Sequence, residues 1–508
     1  MGERLGNNIQ PISLLESKLK ELSVRLVCPK LKILLLGGEK QWSSHYDQSK
    51  LLKVSDECFQ EMKALEVVSL RYADLSLKSL QFLTNLKTLE LSGCNLRDIS
   101  FLAKLNKLEV LSFRDSRFDE LPIELSELKE LRMLDLRGCS ELRRIPSSLI
   151  RRFSQLEELY MEKDIFEEME VEEKSIETGN ARLSELNYLP CLVVLYLKIN
   201  SKCLPKDFAF SKLSRYKIVV NKTYGYSESS KALTIGYIDA TLLTALFKAL
   251  YHSVEHLSLE GVTGCQNILP SIDQKGLKKL NTLGVSHCKD LKCMIDASQL
   301  GEENSELHPS LARLVLSFLP ELQCIWKGPM SIHMVNFQSL TDVYVGFCTS
   351  LAYLFTLSIA RSLGQLKSLS VIGCESLEFL IKIEEGDNGR GEKMLSKLED
   401  LKIQRCSRLE YVFPVFVATG LIQLKNLETE DAAELKQVFH GKEENEIAEE
   451  GKDIKLPNLK KLKLNKLEKL TRFFLENNHS TLPALEEFQM KECPNLTIKE
   501  GVLEEVCF

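Results

Sequence analysis

One short pattern of leucines recurs along almost the whole chain and constrains its fold more than any other feature. It is clearest in LKTLELSGC from Leu86 and in LRMLDLRGC from Leu131. The fourth and sixth positions of each unit alternate with the third, fifth and seventh, which is the period of a β-strand with one buried and one exposed face. One unit cannot bury its leucines alone, so neighbouring units must share a core. Seventeen units are recognised, with first positions at residues 31, 65, 86, 108, 131, 156, 192, 213, 254, 280, 311, 340, 366, 398, 424, 459 and 485.

The spacing of these units predicts the fold class. Leu-x-x-Leu-x-Leu followed by Cys or Asn is the signature of a leucine-rich repeat. We therefore predict an α/β protein, a leucine-rich-repeat solenoid shaped as a curved horseshoe. Parallel β-strands would line its concave face, and irregular or helical segments would form its convex side. Binding is expected on the concave face.

Composition and charge argue against several classes of protein. Hydrophobic residues make up 44% of the 508 residues and charged residues 27%, which excludes a disordered or fibrous chain as the main class. The formal net charge of −6 argues against a dominant attraction to nucleic acid or to an anionic membrane. The uncharged stretch at residues 343–360 reaches the length of a membrane span, but it also fits the repeat. We predict no transmembrane segment.

A lysine-rich stretch, KKLKLNKLEKL from Lys460, is the strongest candidate for a nucleic-acid site. No aromatic residues accompany these lysines to stack on bases. We therefore interpret the stretch as a late repeat whose lysines are solvated between buried leucines, and we predict no nucleic-acid partner.

Seven of the 15 cysteines share one position, eight residues after the first residue of their unit. There the chain turns out of the strand, and a small buried side chain with a weak donor can support the turn. His287, Cys288 and Cys293 could suggest a metal, but Cys288 already belongs to the series and no second ligand pair follows, so no metal site is predicted. The series consists of Cys94, Cys139, Cys288, Cys348, Cys374, Cys406 and Cys493.

Motifs for catalysis are missing from the sequence. A phosphate-binding loop needs Gly-Lys-Ser or Gly-Lys-Thr, and at the nearest match Glu392 follows Gly391 where lysine is required. There is no His-Glu-x-x-His, Gly-x-Ser-x-Gly or Cys-x-x-Cys. We predict no enzymatic activity and no cofactor. Three charged stretches, at residues 157–177, 384–393 and 441–453, are interpreted as solvated insertions or, alternatively, as acidic docking segments.

Several phrases carry a resemblance to a known family. They include CFQEMKALEVVSL from Cys58, LPIELSELKELRMLDLRGCSELRRIP from Leu121 and LPELQCIW from Leu319. In this order they resemble the leucine-rich-repeat region of plant coiled-coil NB-ARC leucine-rich-repeat (NBS-LRR) disease resistance proteins, over roughly residues 12–508. Residues 12–28 resemble the segment after the family's nucleotide-binding switch. Residues 1–26 are therefore expected to be the remnant of a linker that follows a missing nucleotide-binding domain, and residues 27–508 the leucine-rich-repeat domain.

The resemblance implies a cytoplasmic protein of plant innate immunity that acts by binding other proteins. Its partner would be a pathogen effector or a guarded host protein. A nucleotide-binding domain, in cis or in trans, would be a further partner, which the repeats restrain when it is attached. A generic intracellular leucine-rich-repeat adaptor, such as a substrate receptor of a ubiquitin ligase, remains the alternative. An adaptor would normally carry an additional recruitment domain.

Outward-facing third, fifth and seventh positions supply the predicted binding residues. Arg71, Arg114 and Arg137 are expected to form a basic row near Asp135 that docks an acidic face of a nucleotide-binding domain. Tyrosine and arginine are favoured at protein contacts, although any solenoid exposes some of them by chance. The other predicted residues are Glu158, Tyr160, Glu162, Tyr196, Lys198, Arg215, Lys217 and Tyr344.

Overall fold

The computed structural model divides the chain into two compact units, Met1–Thr234 and Ile235–Phe508. The residues described are 11–15, 20–22, 27–38, 50–166, 179–204, 213–222, 229–272, 277–299, 310–328, 337–383, 394–440, 456–473 and 482–496.

Parallel strands form the main sheet of each unit, and the predicted leucine-rich-repeat fold is confirmed. Every one of the seventeen predicted repeats has a main-sheet strand that begins two residues after its first position. In the first unit these strands are Ile33–Gly37, Val67–Arg71, Thr88–Ser92, Val110–Ser112, Met133–Asp135, Glu158–Met161, Val194–Ile199 and Arg215–Val220. In the second unit they are His256–Glu260, Thr282–Ser286, Arg313–Ser317, Asp342–Gly346, Ser368–Ile372, Asp400–Gln404, Asn426–Glu430, Lys461–Asn465 and Glu487–Lys491.

Two further strands of the main sheet were not predicted. Ile12–Leu14 pairs in parallel with Ile33–Gly37, and Lys231–Gly236 contains the boundary between the units. Neither strand is preceded by a complete Leu-x-x-Leu-x-Leu unit. The expected linker at residues 1–26 thus includes a paired strand, and the boundary at residue 27 stays a prediction.

Short strands and helices connect the main-sheet strands. The additional strands are Glu21–Leu22, Leu52–Val54 and Ala73–Leu75 in the first unit, and Asn267–Leu269, Cys293–Asp296, Cys324–Lys327, Tyr353–Thr356, Phe379–Lys382, Tyr411–Pro414 and Gln437–His440 in the second. The 3-10 helices are Leu77–Phe82, Ser100–Lys104, Ile123–Glu127, Ile150–Arg152, Leu183–Tyr188, Ser201–Cys203 and Ala297–Gln299. The α-helices are Ala240–Tyr251, Leu357–Ser362 and Val415–Ala418.

Alternating burial explains why the repeats form strands. In Thr88–Ser92, Leu89 and Leu91 are fully buried while the residues between them are partly exposed. We call the side of the main sheet that faces away from these leucines its outward face. Because the strands are in parallel register, each leucine lies beside the leucine of the next repeat, so neighbouring repeats share one core.

The cysteine series is structural, as predicted. All seven cysteines are buried and unbridged. The thiol of Cys94 donates to the carbonyl oxygen of Leu70 at 3.4 Å, and that of Cys139 donates to the carbonyl oxygen of Phe113 at 3.1 Å. Burial raises the pKa of both thiols to about 12. These thiols therefore tie one repeat to the preceding one and resist ionisation.

The uncharged stretch at residues 343–360 is divided between two strands and the helix Leu357–Ser362, which agrees with its interpretation as a repeat. Within the described part of the chain, no helix is both long and apolar enough to span a membrane. The charged stretches at residues 384–393 and 441–453 lie outside the described residues, as does most of the stretch at 157–177.

Candidate protein-binding surface on the first unit

The parallel register brings the fifth positions of successive repeats side by side. Ser112 pairs with Asp135, Asp135 with Tyr160, Tyr160 with Tyr196, and Tyr196 with Lys217. Adjacent strands lie about 4.8 Å apart, so residues from five repeats form one row on the outward face. We call Asp135, Arg137, Tyr160, Tyr196 and Lys217 the tyrosine–arginine cluster.

An ion pair anchors this cluster. The carboxylate of Asp135 accepts hydrogen bonds from Arg137 Nε at 2.9 Å, from Arg137 Nη2 at 2.6 Å and from the backbone N–H of Arg137 at 3.0 Å. Asp135 is only 2% exposed despite its outward position, and its hydrogen bond with Arg137 raises the pKa of the guanidinium. The two side chains therefore hold each other in one geometry, and their charges largely cancel.

Two tyrosines lie against this ion pair. The guanidinium carbon of Arg137 is 4.4 Å from the ring centroid of Tyr160 and 5.9 Å from that of Tyr196. The two rings meet edge to face, with centroids 4.8 Å apart. Lys217 Nζ lies 5.3 Å from the centroid of Tyr196. Tyr160 is 7% exposed, whereas Tyr196 keeps part of its surface open to solvent. Tyr196 is thus the ring that the cluster presents to a partner.

Glu158 fixes the orientation of Tyr160. Its carboxylate accepts a hydrogen bond from Tyr160 Oη at 2.5 Å and another from Arg215 Nη2 at 3.0 Å. Burial, together with the neighbouring carboxylate, raises the pKa of Tyr160 above its usual range. The phenol therefore remains protonated and acts as a hydrogen-bond donor.

The three arginines of the expected basic row do not form one patch of free positive charge. Arg71 lies beside Ser92 of the next strand, so the strand Thr88–Ser92 separates Arg71 from Arg114 and Arg137. Arg114 is exposed, and its Nε lies 3.7 Å from Asp115 Oδ2. Arg137 forms an ion pair with Asp135. Only Arg71 has no ion-pair partner among the described residues.

The remaining predicted residues lie at the margins of this cluster or outside the first unit. Glu162 is exposed after the strand Glu158–Met161, and Lys198 is half-buried in the strand Val194–Ile199. Tyr344 belongs to the second unit. Its hydroxyl group packs against Gly346, where a Cβ would come within 2.7 Å of that oxygen. In the part of the chain that the structure describes, no group of three His, Cys, Asp or Glu side chains could hold a metal ion.

Sequence reasoning missed a row of alternating charges at the second positions of the repeats. Ion pairs join Lys32 to Glu66 at 2.7 Å, Lys87 to Glu109 at 3.1 Å, and Arg132 to Glu157 at 2.6 Å. The signal is visible in the sequence, because the second positions of the first six repeats alternate in sign. These residues precede the strands and so lie outside the third, fifth and seventh positions predicted to face outward. We call these six residues the second-position row.

Plant disease resistance proteins recur among the known proteins that this chain resembles. A model of plant disease resistance protein RPS2-like leucine-rich repeats matches residues 242–375 and 380–498. Disease resistance protein At4g27190 of Arabidopsis thaliana is 23% identical in an alignment of 446 residues that covers 84% of this chain and 41% of that protein. Disease resistance protein RRS1 of Arabidopsis thaliana is 31% identical in an alignment of 235 residues that covers 42% of this chain and 17% of that protein. The chain thus spans less than half the length of these relatives.

Among solved structures, a leucine-rich-repeat protein of Leptospira interrogans, LIC12759, aligns with a TM-score of 0.45 at 19% identity. The alignment covers 78% of this chain and 96% of the bacterial one.

Proposed function

Because this chain belongs to the leucine-rich-repeat region of plant disease resistance proteins, we propose that it is a recognition module of plant innate immunity. Its role is binding rather than catalysis, in the cytoplasm, and its ligand is a pathogen effector or a guarded host protein. The observation that carries this proposal is the tyrosine–arginine cluster, whose side chains are fixed before any partner arrives.

The chemistry of the cluster suits a protein contact. Tyrosine and arginine dominate the residues that contribute most to binding at protein interfaces, because they combine large area with directed hydrogen bonds. Ordering a flexible side chain on binding costs about 0.5–1.5 kcal/mol, and contacts such as those of Arg137 to Asp135 and Tyr160 reduce that cost. Tyr196 would enter an apolar pocket of the partner, and Lys198 and Lys217 would face acidic groups around that pocket.

A second contact would serve regulation. Where a nucleotide-binding domain is attached, or is supplied in trans, the exposed Arg71 and Arg114 dock an acidic face of that domain and restrain it. Arg137 contributes less to this contact than the sequence suggested, because Asp135 already neutralises it.

A comparative capture experiment tests the proposed recognition surface. The tagged full chain is expressed in pathogen-inoculated leaves as wild type, as Y196A/K217E and as the control Y188A, and bound proteins are quantified by mass spectrometry. Tyr188 is 66% exposed on the 3-10 helix Leu183–Tyr188, so it matches Tyr196 in type but lies outside the cluster.

We expect at least one partner to be depleted tenfold or more by Y196A/K217E and unchanged by Y188A. Equal recovery of every partner with all three folded proteins would contradict the proposed surface. Recovery of ubiquitin-ligase subunits as the partner that depends on Tyr196 would favour the adaptor alternative instead.

A further inference from the structure

The second unit places aromatic residues where the backbone favours glycine. His287, Phe318 and Phe347 follow the ends of three successive main-sheet strands, with φ angles of 56°, 53° and 55°. Glycine occupies the equivalent place in flanking repeats, at Gly261 and Gly373. The same left-handed backbone recurs at this position with other side chains, as at Tyr237 and Asp431. What distinguishes His287, Phe318 and Phe347, here called the aromatic strip, is that three successive repeats place a ring there.

The aromatic strip is an exposed stack of rings. The ring centroids of His287 and Phe318 are 4.7 Å apart, and those of Phe318 and Phe347 are 4.8 Å apart with planes only 7° from parallel. Phe318 is 45% exposed, so the stack is no part of the leucine core. Because the rings are spaced like the strands that carry them, the edges of the three rings form one continuous aromatic ridge.

A shallow floor of small residues adjoins this ridge. Ser286, Ser317 and Gly346 are in register at the seventh positions, each directly before an aromatic residue of the strip. Neither serine hydroxyl has a hydrogen-bond partner among the described residues. The floor thus offers hydroxyl groups beside an apolar wall, a combination suited to a peptide backbone with apolar side chains.

Opposite charges mark the two ends of the strip. Glu260 is in register with Ser286 and lies one repeat before His287, and it accepts a hydrogen bond from Tyr237 Oη at 2.9 Å. Arg405 is exposed beyond Phe347, and no ion pair within the described ranges engages it. Five strand-to-strand steps separate the strands of Glu260 and Arg405, which is about 24 Å at about 4.8 Å per step. An extended chain of about seven residues covers that distance.

We propose that the aromatic strip binds an extended peptide segment of a partner protein, about seven residues long, that runs across the strands. Apolar side chains at its centre pack on Phe318 and Phe347, and its backbone is hydrogen-bonded by Ser286 and Ser317. A basic residue of the segment faces Glu260, and an acidic residue faces Arg405. This surface belongs to the second unit and does not depend on the tyrosine–arginine cluster.

A display library of nine-residue peptides, selected on the full chain, provides the probe. We expect the enriched peptides to share an apolar centre between a basic and an acidic residue. The affinity of one synthetic member is then measured by fluorescence anisotropy against wild type, F318G/F347G and the control Y72G. Glycine favours the left-handed backbone, so these substitutions remove the rings without straining the fold. Tyr72 occupies the same repeat position in the first unit, with a φ of 51°.

F318G/F347G should weaken binding at least tenfold, whereas Y72G should leave it unchanged. The variant R405E should also weaken binding, and a peptide whose acidic residue is replaced by lysine should restore it. The proposal is overturned if no peptide is enriched, or if the enriched peptides bind F318G/F347G as tightly as wild type. It is likewise overturned if the strip binds oligothymidine instead, or if it mediates a concentration-dependent dimer that F318G abolishes.

Discussion

The ion pair beneath the two tyrosines allows a quantitative test of the proposed cluster. Asp135→Asn keeps the shape of the side chain but removes the charge that Arg137 Nε and Nη2 contact at 2.9 and 2.6 Å. Hydrogen bonds to charged groups contribute about 1.5–3 kcal/mol. The side chain of Arg137 is 23% exposed, so water replaces part of what is lost. We expect the local opening free energy to fall by about 2 kcal/mol.

Arg137→Met should be more harmful than Asp135→Asn. It leaves a carboxylate that is 3% exposed with no guanidinium to balance it, and breaking buried pairs in this way costs about 3–5 kcal/mol. A partly open site should fall at the lower end of that range. In the double variant D135N/R137M neither charge remains, so its loss should be about 2 kcal/mol smaller than the sum of the single losses.

Hydrogen exchange measured by mass spectrometry on the strands Met133–Asp135 and Glu158–Met161 gives these local free energies. A loss of about 2 kcal/mol corresponds to roughly 30-fold faster exchange. Glu90→Gln is the matched control, because Glu90 lies in the same fifth-position row without a charged partner within the described residues. Less than threefold acceleration in D135N, or additive losses in the double variant, would refute the view that this pair organises the cluster.

Three further predictions concern other parts of the chain. Glu109→Lys places a third positive charge between Lys87 and Arg132. The melting temperature should fall by a few degrees in low salt and recover in 1 M NaCl, and Glu109→Gln should lower it less. Burial lowers the pKa of His256 from its usual 6.5, so the folded protein should lose stability as the pH falls below 6.5. Melting temperatures measured at pH 7.5 and pH 5.5 should therefore differ less in H256Q than in wild type. Burial raises the pKa of the Cys94 thiol from 9.0 to about 12, so the stability that this thiol contributes should decline as the pH rises above 9. Between pH 8 and pH 10.5, the melting temperature of C94A should therefore depend less on pH than that of wild type.

Leucine spacing predicted the main-sheet strands because the alternation of apolar positions determines which side chains face the core. Even the repeat that begins at residue 213, in which Tyr216 replaces the usual leucine, forms its strand with that tyrosine fully buried. The strand Lys231–Gly236 was missed because no leucine precedes it at the required spacing. Periodicity therefore identifies a strand only where a whole repeat surrounds it.

The candidate site could be predicted only as a set of outward positions. The sequence places Asp135 and Arg137 two residues apart, but the side-chain rotamers that join them are properties of the folded surface. Contact between Tyr160 and Tyr196 depends on their two strands being neighbours in the sheet, although 36 residues of sequence separate them. No residue near Phe318 in the sequence predicts its left-handed backbone. The only indication is that glycine stands at the aligned position of other repeats.

The second-position row also affects how this unit could gain or lose repeats. Positive and negative residues alternate from one repeat to the next, so each repeat carries at this position a charge opposite to that of its neighbours. Deleting one repeat, such as residues 86–107 with Lys87, would bring Glu66 beside Glu109. Deleting two consecutive repeats would keep the alternation intact. Changes in the length of this unit are therefore better tolerated in pairs of repeats than singly.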